Sequence, residues 1–271
     1  MARRIVLTSQ KGGVGKTTVA LNLALAFAER GKRTLLVDLD PQGGIGHALA
    51  RGDTELVGLT DLLMGQITAE EAVLPTRVAN LTLLPRGRLD PAEVSEYELA
   101  LASGPVLRRA LDPIDARFDL TLIDTPSGVG IVTRAALGLA DYALIPFQAE
   151  ALALRSLSQV LRAIDRVRAG ENPRLEMLGI VPTMVDRNDD SSLAVMNDVW
   201  SGLWGVTDTS IPRAAIFARA SLAGLPVGFL AGRPPPEARR FDLLAAELEG
   251  AMDEISPRKE EHHDRPARAL L

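Results

Sequence analysis

With 46% hydrophobic and 24% charged residues, a chain of 271 residues has the balance of a globular protein able to bury a sizeable core. The length exceeds one typical domain, but α/β folds often reach this size as a single unit, so one domain is the starting expectation. The absence of cysteine removes disulfides, thiolate zinc sites, iron–sulfur clusters and cysteine nucleophiles, and a net charge of −5 with evenly spread basic residues announces no basic domain for nucleic acid.

The chain opens on a strand-like run over residues 4–9, Ile5-Val6-Leu7-Thr8-Ser9 at its centre, too short for a secretory signal. Lys11-Gly12-Gly13-Val14-Gly15-Lys16-Thr17-Thr18 follows, and a helix is predicted from Lys16 to Arg30 with Gly31 as its C-terminal cap. A glycine-rich turn between a strand and a helix is where a phosphate loop belongs. The glycines let backbone N–H groups converge on phosphate oxygens, and the helix directs its positive end at the same anion. Lys16 is placed to reach the β and γ phosphates, and the Thr17 hydroxyl to ligate magnesium. The usual pattern asks for glycine at position 10, where this chain has Gln10. Lysine occurs only at Lys11, Lys16, Lys32 and Lys259, so two of four in one loop point to chemistry rather than composition.

A second strand over 34–38 runs into Asp38-Leu39-Asp40-Pro41-Gln42, and strand alternation puts Asp38 and Asp40 on one side at the carboxyl end, where ligands bind in open α/β sheets. His47, just beyond, reads as a helix-surface residue. After a strand over 81–84, the run Phe118-Asp119-Leu120-Thr121-Leu122-Ile123-Asp124 is an apolar strand ending in one carboxylate, the Walker B arrangement, with Asp124 in the magnesium shell, partly through water. Strands are further predicted over 142–146, 177–182 and 206–211. A helix over 151–168 carries the stripe Leu154, Leu157, Leu161, Ile164 and Val167, and a final helix over 237–254 carries Phe241, Leu244, Leu248 and Met252. Strands alternating with helices predict an α/β fold, a single P-loop NTPase domain over residues 1–255 whose mostly parallel twisted sheet has helices on both faces. Residues 256–271, with His262-His263 and few apolar side chains, read as a disordered charged tail.

The loop with Lys11 beside Gln10 resembles the deviant Walker A motif, and the chain is similar to the ParA/MinD family of P-loop ATPases over residues 4–250. Asp38-Leu39-Asp40-Pro41-Gln42 is similar to the ParA form of the second family motif, and Pro126 to Gly130 to its switch loop. The resemblance implies a weak Mg2+-dependent ATPase with ATP and Mg2+ as ligands, held by Lys11, Gly12, Gly13, Val14, Gly15, Lys16, Thr17 and Thr18. It implies that Lys11 reaches the phosphates of a partner subunit, that Thr17, Asp40 and Asp124 form the magnesium shell, partly through water, and that Asp40 also helps place the attacking water. The later strings Thr183-Met184-Val185-Asp186 and Ile211-Pro212-Arg213 resemble the adenine side and suggest Asp186 and Pro212 as base contacts.

By the same resemblance the protein is an ATP-dependent homodimer that binds nonspecific DNA and is released by a ParB-like or other activating adaptor, serving DNA segregation or cargo positioning. It is then cytoplasmic, and nucleoid-associated in its ATP form. The chain leaves no room for an N-terminal helix-turn-helix, so Arg213, Arg219, Arg233, Arg239 and Arg240 are the candidate DNA contacts. The alternative is a MinD-like membrane-associated regulator. It needs an amphipathic C-terminal helix, and Arg265-Pro266-Ala267-Arg268-Ala269-Leu270-Leu271 offers little of one, so no stable membrane anchor is expected. A small-molecule ligase or kinase is a third reading.

Overall fold

A computed structural model describes residues 2–49, 56–102, 105–150, 153–186, 188–230 and 232–261. The predicted strands form as β1 (Arg3–Leu7), β2 (Thr34–Asp38), β4 (Leu81–Leu84), β5 (Leu120–Asp124), β6 (Tyr142–Gln148) and β7 (Glu176–Thr183), joined by a two-residue β3 (Leu74–Pro75). Their order across the sheet is β3-β4-β2-β5-β1-β6-β7, all parallel except the edge strand β3. Because β1 and β5 are central and paired, the loops leaving them emerge side by side at the carboxyl edge.

Strand alternation divides the core between two faces. Ile5, Leu7, Leu36, Leu122 and Leu144 pack under helix α1 (Lys16–Glu29) and the last helix, α10 (Pro236–Glu261). Val6, Val37, Ile123 and Ala143 face the other way, against α4 (Val94–Ala102), α5 (Val106–Asp115), α6 (Ile131–Leu137) and α7 (Ala153–Ala169). The short helices α2 (Gly44–Leu49) and α3 (Leu59–Leu63) follow β2, and α8 (Asp190–Gly202) and α9 (Ala215–Ala223) follow β7.

Helix α1 buries nearly every side, as its apolar run predicts. It stops where Gly31 takes φ +86 and the Lys32 amide donates to the Phe27 carbonyl, a conformation that favours glycine. At the opposite edge from the loops, Arg4 donates to Asp115 and Asp112, each at 2.5 Å, and Asp115 accepts the Thr121 hydroxyl at 2.6 Å. That buried network ties α5 to β1 and β5.

Three expectations change. Residues 206–211 form no strand; only the isolated bridges Ile180↔Val206 and Val185↔Pro212 survive. The reason is competition for amides: Asp208 and Thr209 donate their N–H groups to the Glu247 carboxylate on α10, and Thr207 folds its hydroxyl onto the Thr209 carbonyl. Leu154 is exposed rather than part of the buried α7 stripe, whereas Leu157, Ile164 and Val167 are buried as expected. Helix α10 continues to Glu261, past the boundary read at 255; residues 262–271, including both histidines, lie outside the described residues. Among the described residues no helix is long and apolar enough to cross a membrane.

Leu244 is fully buried where α10 meets α1 and the sheet. Leu244→Ala is expected to cost about 2–5 kcal/mol, read as a lower urea midpoint with an unchanged slope. The exposed Leu222→Ala is expected to change stability by less than about 0.5 kcal/mol.

Candidate nucleotide-binding site

The loop between β1 and α1 is built for an anion. Gly13 and Gly15 take φ +76 and +85, in the left-handed region where a side chain is strained. Gly15 begins α1 with no side-chain cap, leaving the first-turn amides of Lys16 and Thr17 open to a ligand. Neighbouring strands hold this loop. The Thr183 hydroxyl at the end of β7 donates to the Val14 carbonyl at 2.8 Å, the Ser9 hydroxyl donates to the Lys11 carbonyl at 3.1 Å, and the Gly128 amide donates to the Ser9 carbonyl at 2.8 Å. Ser127 lies against Gly12, so the expected switch loop starts in contact with the phosphate loop.

Beneath the loop sit the carboxylates. Asp124 ends β5, and Asp38, its paired position, ends β2; both are fully buried. The Thr17 hydroxyl donates to Asp124 Oδ2 at 2.6 Å, and Lys16 Nζ stands 3.7 Å from Asp124 Oδ1, which has no hydrogen-bond partner. Burial pushes the Asp124 carboxyl up against the opposing pull of Lys16 and Thr17. A buried, orphaned carboxylate oxygen beside a threonine hydroxyl and a lysine fits a magnesium ion carrying phosphates.

Asp38 and Asp40 prove to have different environments. Asp38 accepts the amides of Asp40 and Ile45 at 3.1 and 3.0 Å, and burial, with the charge of Asp124, pushes its carboxyl up to about 7. Asp40 lies past the strand end, half-buried, and its carboxylate accepts the Gln42 amide at 2.9 Å. Asp38 therefore shapes the turn from inside, and Asp40 is the one open to the cleft.

Lys11 is held apart from Lys16. Its side chain is about half exposed, and Nζ meets Gln148 Oε1, at the end of β6, at 3.5 Å and Glu150 Oε2, two residues beyond it, at 2.5 Å. Nothing in the sequence around Gln148 and Glu150 signals a partner for Lys11. Asp186 and Pro212 come together through the Val185↔Pro212 bridge, and a Cβ on Gly15 would lie 3.8 Å from the Met184 side chain, so this corner borders the phosphate loop.

The candidate arginines lie on adjoining segments. Arg213 and Arg219 are exposed at and on α9; Arg233, Arg239 and the half-buried Arg240 lie at the start of α10, and the turn Val227–Phe229 contacts both helices. None of the five is ion-paired to a described residue, unlike Arg30, which binds Asp242 and Glu249. His47 falls within α2, its side chain outside what is described.

The raised Asp38 carboxyl has a stability consequence. The folded protein retains a proton there that the unfolded chain releases near pH 4, so this group's contribution weakens as pH rises from about 4 through about 7. Without nucleotide or metal, Asp38→Asn is expected to gain on the native protein in melting temperature between pH 5 and pH 8, by at least about 2–4 °C. A difference that stays flat with pH would contradict the buried acid.

A family described as AAA domain matches residues 2–177. The chromosome partitioning protein ParA of Caulobacter vibrioides is 39% identical over 233 residues, 83% of this chain and 86% of that protein. Among solved structures, cobyrinic acid a,c-diamide synthase from Mycobacterium smegmatis with bound ATP analogue and magnesium superimposes with a TM-score of 0.76 at 33% identity, covering 91% of this chain and 93% of that one. The cell division ATPase MinD of Pyrococcus furiosus gives a TM-score of 0.70 at 27% identity, over 92% and 99%. With a deviant phosphate loop, a buried magnesium-type carboxylate and ParA relatives over most of its length, this chain belongs to the ParA/MinD family of P-loop ATPases.

Proposed function

We propose that this chain is an ATP-operated dimerisation switch of the ParA kind, which holds nonspecific DNA as an ATP dimer and lets go when a partner protein stimulates hydrolysis. The observation that carries the reading is Lys11, solvent-exposed at the rim of the phosphate loop while Lys16 is buried within it. One lysine suffices for the phosphates of its own site; a second that faces outward suits phosphates presented by another copy. Its ion pair with Glu150 is no obstacle, because exposed pairs are worth about 0–1 kcal/mol.

In this reading the amides of residues 12–17 and Lys16 cradle the β and γ phosphates of ATP, and Thr17 and Asp124 hold magnesium directly or through water. Bound there, the ion neutralises charge that develops on the phosphoryl group. Asp40 orients the water whose oxygen bonds to the γ phosphorus as the bond to the β–γ bridging oxygen breaks. Asp186 and Pro212 flank the base. Arg213, Arg219, Arg233, Arg239 and Arg240 neutralise DNA phosphates, releasing counterions and giving a salt-sensitive hold without sequence preference. The net charge of −5 keeps that hold weak in one copy, which a reversible switch requires.

A second reading is favoured by the name of the Mycobacterium smegmatis relative, a diamide synthase. Under it, ATP turnover would rise with a carboxylic acid substrate and an amide donor rather than with DNA. The MinD-like reading would show as ATP-dependent sedimentation with anionic liposomes.

Asp40→Ala is expected to keep ATP, sediment as a dimer and stay on nonspecific DNA, while Lys11→Ala binds ATP but remains a monomer. ATP that produced neither dimer nor DNA retention in Asp40→Ala would sink the proposal. Replacing Arg219 and Arg239 by glutamate is expected to weaken DNA binding by the ATP dimer and flatten the slope of log affinity against log salt by roughly 0.9 for each DNA phosphate no longer neutralised. An unchanged slope would remove these arginines from the interface.

A further inference from the structure

The turn that carries Asp40 is gripped from outside by one segment of chain. The carbonyl just before Asp40, that of Leu39, accepts the Tyr97 hydroxyl at 3.2 Å. The carbonyl of the following residue, Pro41, accepts the Arg86 guanidinium. The carbonyls of both residues next to Asp40 therefore receive one side-chain donor each, and both donors come from the segment that runs from the end of β4 into α4. Backbone bonds secure the inner side: the Leu39 amide donates to the Asp124 carbonyl at 2.9 Å, and the Gly43 amide to the Asp40 carbonyl at 2.8 Å.

The grip is close and itself supported. Gly43, at φ +64, lies over the Arg86 guanidinium, where an added Cβ would sit 3.3 Å from Cζ and Nε. Arg86 Nε also donates to the Gly87 carbonyl at 3.1 Å. The Arg86 carbonyl accepts the amide and hydroxyl of Thr60 at 2.7 and 2.8 Å. Asp61 accepts the amides of Gly58 and Arg88 and the Arg88 guanidinium. Tyr97 is buried in the core beneath the turn, and burial together with the charge of Asp38 pushes its hydroxyl up, so it remains a donor. On the far side, a Cβ on Gly44 would lie 3.3 Å from the Thr17 hydroxyl, so the turn is wedged between the magnesium-type threonine and the arginine.

We propose that Arg86 and Tyr97 are positioning residues for hydrolysis, a two-point bracket that fixes the Asp40 carboxylate by holding the carbonyls of its two neighbouring residues, Leu39 and Pro41. The proposal rests on the role given to Asp40 above. Neither side chain touches nucleotide in this scheme. Both act on where the carboxylate stands, and a displacement of about 1 Å in a positioned group can cost on the order of a hundredfold in rate.

The test is steady-state hydrolysis of γ-labelled ATP by the full chain. Tyr97→Phe keeps the ring in the core and removes only the donor; Arg86→Met removes the guanidinium, and Arg86→Lys keeps one donor. The expected result is a kcat lower by roughly three- to tenfold for Tyr97→Phe and a larger loss for Arg86→Met. KM should stay within about twofold in both, and Arg86→Lys should recover part of the rate. On the residual turnover of Asp40→Ala, Tyr97→Phe is expected to add nothing, because the group it positions is gone. Unchanged kcat in both Tyr97→Phe and Arg86→Met, or an equal further loss on the Asp40→Ala background, would overturn the bracket. If Asp40→Ala itself hydrolyses ATP like the native protein, the role of Asp40 falls and takes the bracket with it, a result distinct from failure of the bracket alone.

Discussion

Asp38 and Asp124 occupy paired positions on adjacent parallel strands, and both are buried completely. Two carboxylates side by side in a low-dielectric sheet edge repel each other and lose their hydration, a combination that is costly unless cations or N–H groups compensate. Much of the site's architecture is compensation of that kind. Asp38 takes two backbone amides and is pushed to about 7; Asp124 takes the Thr17 hydroxyl and has Lys16 nearby, yet keeps one oxygen without a partner. The remaining deficit is negative and points toward the phosphate loop. A divalent cation resolves it, and the open amides at the start of α1 supply the counterpart for the phosphates that such a cation carries.

This constraint explains which parts of the site are legible in the sequence. Phosphate and magnesium demand particular residues at short spacing, so Gly13, Gly15, Lys16, Thr17 and Asp124 announce themselves in local strings. The six principal strands are equally legible, since buried parallel strands are short apolar runs with few other interpretations. The misreadings involve partners far away in sequence. Residues 206–211 look like a strand, but Glu247 takes two of their amides. Leu154 fits the helical stripe, yet it lies in the first turn of α7 and stays exposed. Arg4, about whose side chain the local sequence says nothing, is buried against Asp115 because α5 folds back beneath β1 and β5.

The same distinction separates Asp38 from Asp40. Strand alternation places both on one side, which is correct as far as the strand continues. The strand ends at Asp38, however, and a hydrogen-bonded turn from Asp40 to Gly43 follows. One carboxylate thus becomes an internal acceptor for the turn's own amides, while the other is delivered to the cleft. What determines the aim of Asp40 is the peptide geometry of residues 39–43, and that geometry is set partly by Arg86 and Tyr97, which no pattern in the acidic motif predicts.

The two loop lysines show how burial assigns roles to chemically identical groups. Lys16, with a side chain only 6% exposed, has exchanged water for Asp124 and for whatever anion the loop cradles, so its position is committed by the fold. Lys11, at 47%, keeps about half of its surface in water and a surface partner in Glu150, and moving it requires little more than exchanging one exposed anion for another. A phosphate carries more charge and more acceptor oxygens than a carboxylate, so it competes favourably for an ammonium that is free to swing. In the proposed switch, Glu150 therefore gives Lys11 a defined resting place from which a phosphate could draw it, while Lys16 stays committed beside Asp124.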